Sequence, residues 1–179
     1  MKEDIVNLEA NLGEKYVIIA NLPYYITTPI LFKFLNEATN LTRFVIMVQL
    51  EVAERLCAKA NSSNYGAITV EIDSVANSKI TRIVKKNMFT PIPKVDSAIV
   101  KIEFVDKYNI KNKGILQNLI RGAFQMRRKT LANNLKNTFH FSQETVDDIY
   151  SKMGLDLTIR GESLTTMQFV EMANIIADF

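Results

Sequence analysis

Apolar residues fall in continuous runs early in the chain, in alternation through its middle, and at helical spacing near its end. After a polar, mixed opening, residues 16–20 form an unbroken apolar run that predicts a buried strand, and residues 43–48 predict a second. Between them Ile30, Leu31, Phe34 and Leu35 share a helical face, with Thr28 placed to cap that helix and Pro29 to begin it. Residues 51–60 repeat the helical pattern, setting Val52, Leu56 and Ala60 on one face and Glu51 with Arg55 at i,i+4. Strand, helix, strand, helix predicts parallel α/β architecture. Alternation follows at Ile68, Val70 and Ile72, and again at Ala98, Val100, Ile102 and Phe104, predicting two half-buried strands. Phe89-Thr90-Pro91-Ile92-Pro93-Lys94 lies between them, and its spaced prolines make it a stiff loop joining a strand pair.

Past residue 110 the strand pattern stops. Ile115, Leu116, Leu119, Ile120, Ala123 and Phe124 form one helical stripe, and Val146, Ile149, Tyr150 and Met153 form another that Gly154 ends. Thr165 with Gln168 is a capping box for a last helix, and Leu164 with Phe169 is its hydrophobic staple. The expected organisation is an α/β domain over residues 1–107 and a small all-α domain over 108–179.

Composition narrows the class. The 179 residues are 47% hydrophobic and 23% charged, as in globular proteins. No apolar run reaches membrane-spanning length and no signal-peptide pattern surrounds Lys2-Glu3-Asp4, so a cytoplasmic protein without a membrane partner is expected. Cys57 is the only cysteine, which excludes an internal disulfide, and with His140 the only histidine no metal is expected. The net charge of +3 is unevenly spread. Between Lys79 and Lys136 stand 14 Lys/Arg against 3 Asp/Glu, a local +11, while the remainder carries −8. Such a segment suits a polyanion, and is also what a solvated surface looks like.

Asn21-Leu22-Pro23-Tyr24-Tyr25 follows the first strand, where α/β folds keep their chemistry. Pro23 holds Leu22 extended and so aims its carbonyl. The Asn21 side chain adds a second acceptor, and Tyr24 adds a planar face. Two acceptors beside a ring describe a holder for a flipped base with an exocyclic amine. They would draw on the amine protons and favour the charge that develops as a methyl group arrives. An ordinary turn capped by Asn21 fits the same residues. Phe89, on its proline-stiffened loop, is either a second stacking face or a core residue. Arg127-Arg128-Lys129, joined by Lys85, Lys86, Lys94 and Arg121, reads as a phosphate-contacting set or as the complement of a helix dipole.

These stretches resemble the small-subunit (16S) ribosomal RNA adenine N6,N6-dimethyltransferases, the kasugamycin-sensitivity family. The likeness rests on Asn21-Leu22-Pro23-Tyr24-Tyr25-Ile26-Thr27-Thr28-Pro29, Gln49-Leu50-Glu51-Val52-Ala53-Glu54-Arg55-Leu56 and Tyr65-Gly66. It continues through residues 89–98, Arg127-Arg128-Lys129-Thr130-Leu131 and Arg160-Gly161-Glu162-Ser163-Leu164. The resemblance implies a Rossmann-like methyltransferase sheet followed by an α-helical domain that docks on the small ribosomal subunit. It implies methyl transfer from S-adenosylmethionine to two adjacent adenines near the 3′ end of the rRNA. Asn21, Leu22, Pro23, Tyr24 and Phe89 would be catalytic, and Asp4 and Asn21 would contact the cofactor. Lys85, Lys86, Lys94, Arg121, Arg127, Arg128, Lys129 and Arg160 would meet RNA.

The family's glycine-rich cofactor loop has no counterpart, since the glycines at 13, 66, 114, 122, 154 and 161 form no G-x-G pattern. The chain therefore reads as an N-terminally truncated member with little expected affinity for the methyl donor. Its first strand would be an open edge available for self-association. Two other readings compete: a non-catalytic RNA-binding remnant, and a methyltransferase for DNA adenine or protein glutamine built on a related Asn-Pro-Tyr turn.

Overall fold

The computed structural model describes Leu12 and residues 14–179. In chain order the elements are β1 (Tyr16–Asn21), α1 (Tyr24–Glu37), β2 (Leu41–Gln49), α2 (Leu50–Leu56), α3 (Ala67–Val75), β3 (Ala76–Val84) and β4 (Ser97–Phe104). Then come α4 (Lys113–Gln125), α5 (Leu131–Phe139), α6 (Gln143–Met153) and α7 (Thr166–Ile176). They group into two compact units: the chain up to Cys57 with Val75–Asp106, and Ala58–Ser74 with Lys107–Phe179.

The first unit holds a four-stranded sheet in the order β1-β2-β4-β3. β1 runs parallel to β2 with Asn21 opposite Met47. β2 and β4 are antiparallel with Gln49 opposite Ser97, and β3 joins β4 with Val84 opposite Ser97. The C-terminal ends of β1, β2 and β3 and the start of β4 therefore share one edge of the sheet. On the buried face Phe44, Ile46 and Val48 of β2 and Val100 and Ile102 of β4 are sealed from solvent. Leu31 of α1 is fully buried, and Phe34 meets Phe44 with ring centroids 5.6 Å apart. Burying each such side chain stabilises the unit by about 1.5–3 kcal/mol. β1 alternates, and its outer positions stay open: Val17 is 47% and Ile19 80% exposed. Among the described residues β1 has a strand neighbour on one side only.

The α/β pattern is as expected, with four differences in placement. Pro29 does not begin α1; it lies inside it, and Pro23 stands at the cap position. The proline removes one helical N–H, and burial of Thr27 and Leu31 on either side holds the helix across the gap. The strand expected around residues 68–72 is α3. Residues of both parities are buried there, among them Thr69, Val70, Glu71 and Ile72, so the apolar alternation was incidental to an element enclosed nearly all round. The strand that pairs with β4 is β3, whose polar Asn77, Lys79, Thr81 and Arg82 hid it from a hydrophobic reading. Lastly, the helix expected over residues 51–60 is α2, which ends at Leu56 with Cys57 as its cap, so Ala60 is not on its face.

The second unit is all helix and closes on a single core. Leu116, Leu119, Ile120, Leu135, Val146, Ile149, Phe169 and Met172 are buried together. Residues 58–74, assigned to the first domain from sequence, belong here because Tyr65 and Val70 are buried in this core. The helix ends follow the capping rules. Asn112, Thr130, Ser142 and Thr165 each accept a backbone N–H into their own helix, and Gly154 closes α6 at φ 63°. The Thr165–Gln168 capping box is formed in full. Gly161 sits where a Cβ would lie 2.8 Å from the Ala123 carbonyl oxygen, a backbone atom with nowhere to move.

Gly161→Ala is expected to lower stability by about 1–3 kcal/mol through overpacking. Gly66→Ala, with nothing within 4 Å of the added carbon, is expected to stay within about 0.5 kcal/mol of the parent. Urea unfolding followed by far-UV circular dichroism separates the two, and equal midpoints would contradict the packing account.

Candidate functional site

Asn21 ends β1 with its side chain exposed; Leu22 is half-buried and Pro23 exposed. Pro23 is extended, at φ −55° and ψ 135°, and its carbonyl already serves the helix. That oxygen accepts from the Ile26 N–H at 3.1 Å and from Thr27 Oγ1 at 3.1 Å. The Pro23 carbonyl is thus committed to α1. Tyr24 opens α1, but its side chain, like the whole of Asp4, lies outside the described residues.

The loop between β3 and β4 starts at the same sheet edge. Lys85 leads into a single helical turn, Lys86–Met88, and half-buried Phe89 follows. Asp96 closes it. Its carboxylate accepts from Lys85 Nζ at 2.8 Å and from the Lys86 N–H at 2.9 Å, and its carbonyl accepts from the Leu50 N–H at 3.0 Å. The Lys85 bond, then the Lys86 N–H, hold the Asp96 carboxyl below its ordinary value. Sequence reasoning missed this anchor, whose signal was an aspartate directly before a strand with two lysines directly after its partner. β1 and β4 are two strand spacings apart, roughly 10 Å. A cavity of about 420 Å³ opens at this edge, between Gln49, Leu50, Glu51 and Glu54 on one side and Lys86 and Lys94 on the other.

The expected RNA contacts divide by unit. In the first, Lys85, Lys86 and Lys94 are exposed, with Lys85 paired to Asp96. In the helical unit Arg128 and Lys129 are exposed in the turn after α4. Arg127 is engaged internally: Nη2 donates to the Tyr65 carbonyl at 3.0 Å and lies 3.4 Å from Glu162. Arg160 is exposed, with Nη1 3.9 Å from the same carboxylate. The segment around it works as a clamp. The Glu162 carbonyl accepts from the Asn61 N–H, the Leu164 carbonyl accepts from the Tyr65 hydroxyl at 2.8 Å, and the Ile159 carbonyl accepts from the Leu131 N–H at 2.8 Å. Burial pushes the Tyr65 phenol up to about 12. Arg121 is exposed on α4 and its charge acts on Glu71, a buried carboxylate whose Oε2 has no hydrogen-bond partner. Burial raises the Glu71 carboxyl, and Arg121 offsets part of that.

Cys57 is half-buried, and burial raises its thiol. Among the described residues no group of three or more His, Cys, Asp or Glu is placed to hold a metal. No described helix is long and apolar enough to cross a membrane.

Comparison with known proteins agrees with the sequence resemblance. A family model described as ribosomal RNA adenine dimethylase matches residues 1–178. Ribosomal RNA small subunit methyltransferase A of Clostridium botulinum is 38% identical over 180 residues, covering 99% of this chain and 65% of that protein. The Clostridium acetobutylicum protein of the same name is 38% identical, over 98% of this chain and 64% of its own length. The chain thus spans less than two thirds of these relatives. Among solved structures, a dimethyladenosine transferase from Plasmodium falciparum superposes with TM-score 0.81 at 26% identity, over 90% of this chain and 66% of that one. The 23S rRNA methyltransferase ErmE, at 16% identity and TM-score 0.66 over 96% of this chain and 77% of its own, shares the fold. The fold is the Rossmann-like methyltransferase type.

A raised Glu71 carboxyl costs stability as pH rises through its folded value, and costs nothing below the ordinary 4.5. Glu71→Gln is therefore expected to melt above the parent at pH 7–8, with the gain shrinking to nothing below pH 4.5; a gain constant with pH would contradict burial as the cause. Asp96→Ala is expected to speed amide exchange at Lys86 by about tenfold, as the bond holding it is lost, and unchanged exchange would show that the loop is held otherwise.

Proposed function

Because this chain belongs to the ribosomal RNA adenine dimethylase family, we propose that it serves dimethylation of N6 on two adjacent adenines near the 3′ end of small-subunit rRNA. The single observation that carries the reading is the shared sheet edge, where the Asn21 turn and the Phe89 loop both begin. A flipped adenine enters there. The Asn21 side-chain oxygen and the Leu22 carbonyl accept its two amine protons, which leaves the nitrogen lone pair directed away from the ring. Phe89 supplies a stacking face worth about 1–3 kcal/mol, comparable to the cost of extruding a base. Tyr24 is assigned the opposite face. Lys86, Lys94, Arg128, Lys129 and Arg160 take phosphates, and Arg121 and the already paired Lys85 and Arg127 complete the set. The partner is the small ribosomal subunit and the compartment the cytoplasm.

The methyl donor for this chemistry is S-adenosylmethionine, assigned to Asn21 and Asp4. The described residues do not fit it well. Asn21 ends a strand whose outer positions Val17 and Ile19 are 47% and 80% exposed, a surface that does not enclose a cofactor among the described residues. That same observation favours a second reading, in which the chain docks on the subunit without catalysing transfer. The open β1 edge also supports self-association as a partner mode.

Undermethylated small subunits incubated with the chain and labelled methyl donor test both readings. Incorporation is expected to fall at least about 100-fold in Asn21→Ala and about 5- to 150-fold in Phe89→Ala. Incorporation unchanged in Asn21→Ala would overturn the proposed amine contact. Subunit binding without incorporation in the parent chain would establish the docking reading instead.

A further inference from the structure

The cavity between α2 and the loop of residues 85–96 has no part in holding the flipped adenine, yet it opens beside it. Gln49 lines it and lies two residues beyond Met47, the register partner of Asn21. One strand spacing across and two residues along put Gln49 about 8 Å from Asn21. The volume of about 420 Å³ lies in the range of small-ligand sites.

Its walls are of mixed character. Lys86 and Lys94 bring positive charge from the loop, Glu51 and Glu54 bring negative charge from one turn of α2, and Asp96 adds a third carboxylate that already accepts from Lys85 and the Lys86 N–H. Leu50 and Val95 add apolar surface, and Val95 is 44% exposed. A small anion would meet the Glu51 and Glu54 carboxylates, and a metal cation would meet the two ammonium groups. A ligand that is anionic at one end, flat in the middle and a hydrogen-bond donor at the other satisfies all three wall types. A nucleotide whose base carries an exocyclic amine is such a ligand.

We propose that this cavity holds the nucleotide adjoining the flipped adenine in the same strand, with its phosphate on Lys86 and Lys94 and its amine against Glu51 and Gln49. Leu50 and Val95 pack on the base face. The proposal rests on the amine-holding reading of the Asn21 turn and extends it by one nucleotide. It makes Glu51 a specificity determinant, where its helical spacing suggested only an i,i+4 partner for Arg55.

Fluorescence anisotropy of the full chain with a labelled six-nucleotide RNA tests it. The RNA is uridine except for two adjacent adenines, and purine, which lacks the amine, replaces either adenine or both. The parent is expected to bind the two-adenine RNA about 10-fold tighter than either single-purine RNA. Glu51→Ala is expected to abolish that difference, and Lys94→Ala to weaken all the RNAs alike. Both side chains are exposed, and circular dichroism of each variant verifies its fold. Persistence of the single-purine difference in Glu51→Ala, or its absence in the parent, overturns the neighbour site. The underlying reading is tested separately by the double-purine RNA, which is expected to bind more weakly still, and by Asn21→Ala, expected to remove that further loss. If the parent shows the further loss without the first, only the neighbour site falls. If the double substitution changes nothing, or no RNA binds, both fall.

Discussion

Strand pairing in register is the constraint from which the candidate site descends. Backbone hydrogen bonds leave each strand little freedom to slip, because a one-residue shift would turn every buried side chain to solvent. With Phe44, Ile46 and Val48 of β2 locked into the buried face, the stopping points of its neighbours are set. Asn21 falls opposite Met47, and Ser97 opposite both Gln49 and Val84. Polar chemistry then collects where the ladder ends, at backbone groups no neighbouring strand can satisfy. The Asn21 turn, the Phe89 loop and the cavity beside Gln49 are three results of that one arrangement.

Rigidity at this edge comes from small local devices. Pro23 fixes one backbone angle, and its carbonyl is drawn into α1 by Ile26 and Thr27. Asp96 binds its own loop through its side chain and the start of α2 through its carbonyl. Neither device needs an extended core, which suits a sheet in which, among the described residues, β1 has a strand neighbour on one side only. The helical unit is built differently. Its segments are tied by carbonyls at 159, 162 and 164 that accept from residues far away in sequence.

How much of this could be read from the sequence depended on whether a local pattern matched a local cause. β2 and β4 were legible because their apolar residues face a buried side; β1 was found from its apolar run, but the expected burial is not there, since none of its residues is buried and Val17 and Ile19 face water. The capping box at Thr165 and the stop at Gly154 were legible because capping is settled within a few residues. α3 was misread because tertiary burial enclosed it on nearly every side, and β3 was missed because it lies at the sheet's far edge with much of its length in water. α5 went unread, its Asn133 and Asn134 being weak helix formers, although Thr130 caps it and Asn134 is buried against the Ala123 carbonyl. At the site, residue identities were legible and their alliances were not. Nothing local in Arg127 tells that its guanidinium belongs to Tyr65 and Glu162. Nothing local in Arg160 through Leu164 marks that stretch as a brace of the helical unit rather than a surface strip.

The internal pairing of Arg127 bears on counterions. A polyanion sheds roughly 0.7 to 0.9 monovalent ions for every protein cation that newly neutralises a phosphate. Arg127 and Lys85 already face carboxylates in the folded chain, so their own ion atmosphere is partly discharged before any ligand arrives. The entropy released on binding belongs chiefly to the remaining cations. The slope of log affinity against log salt would therefore report fewer charges than the basic segment contains.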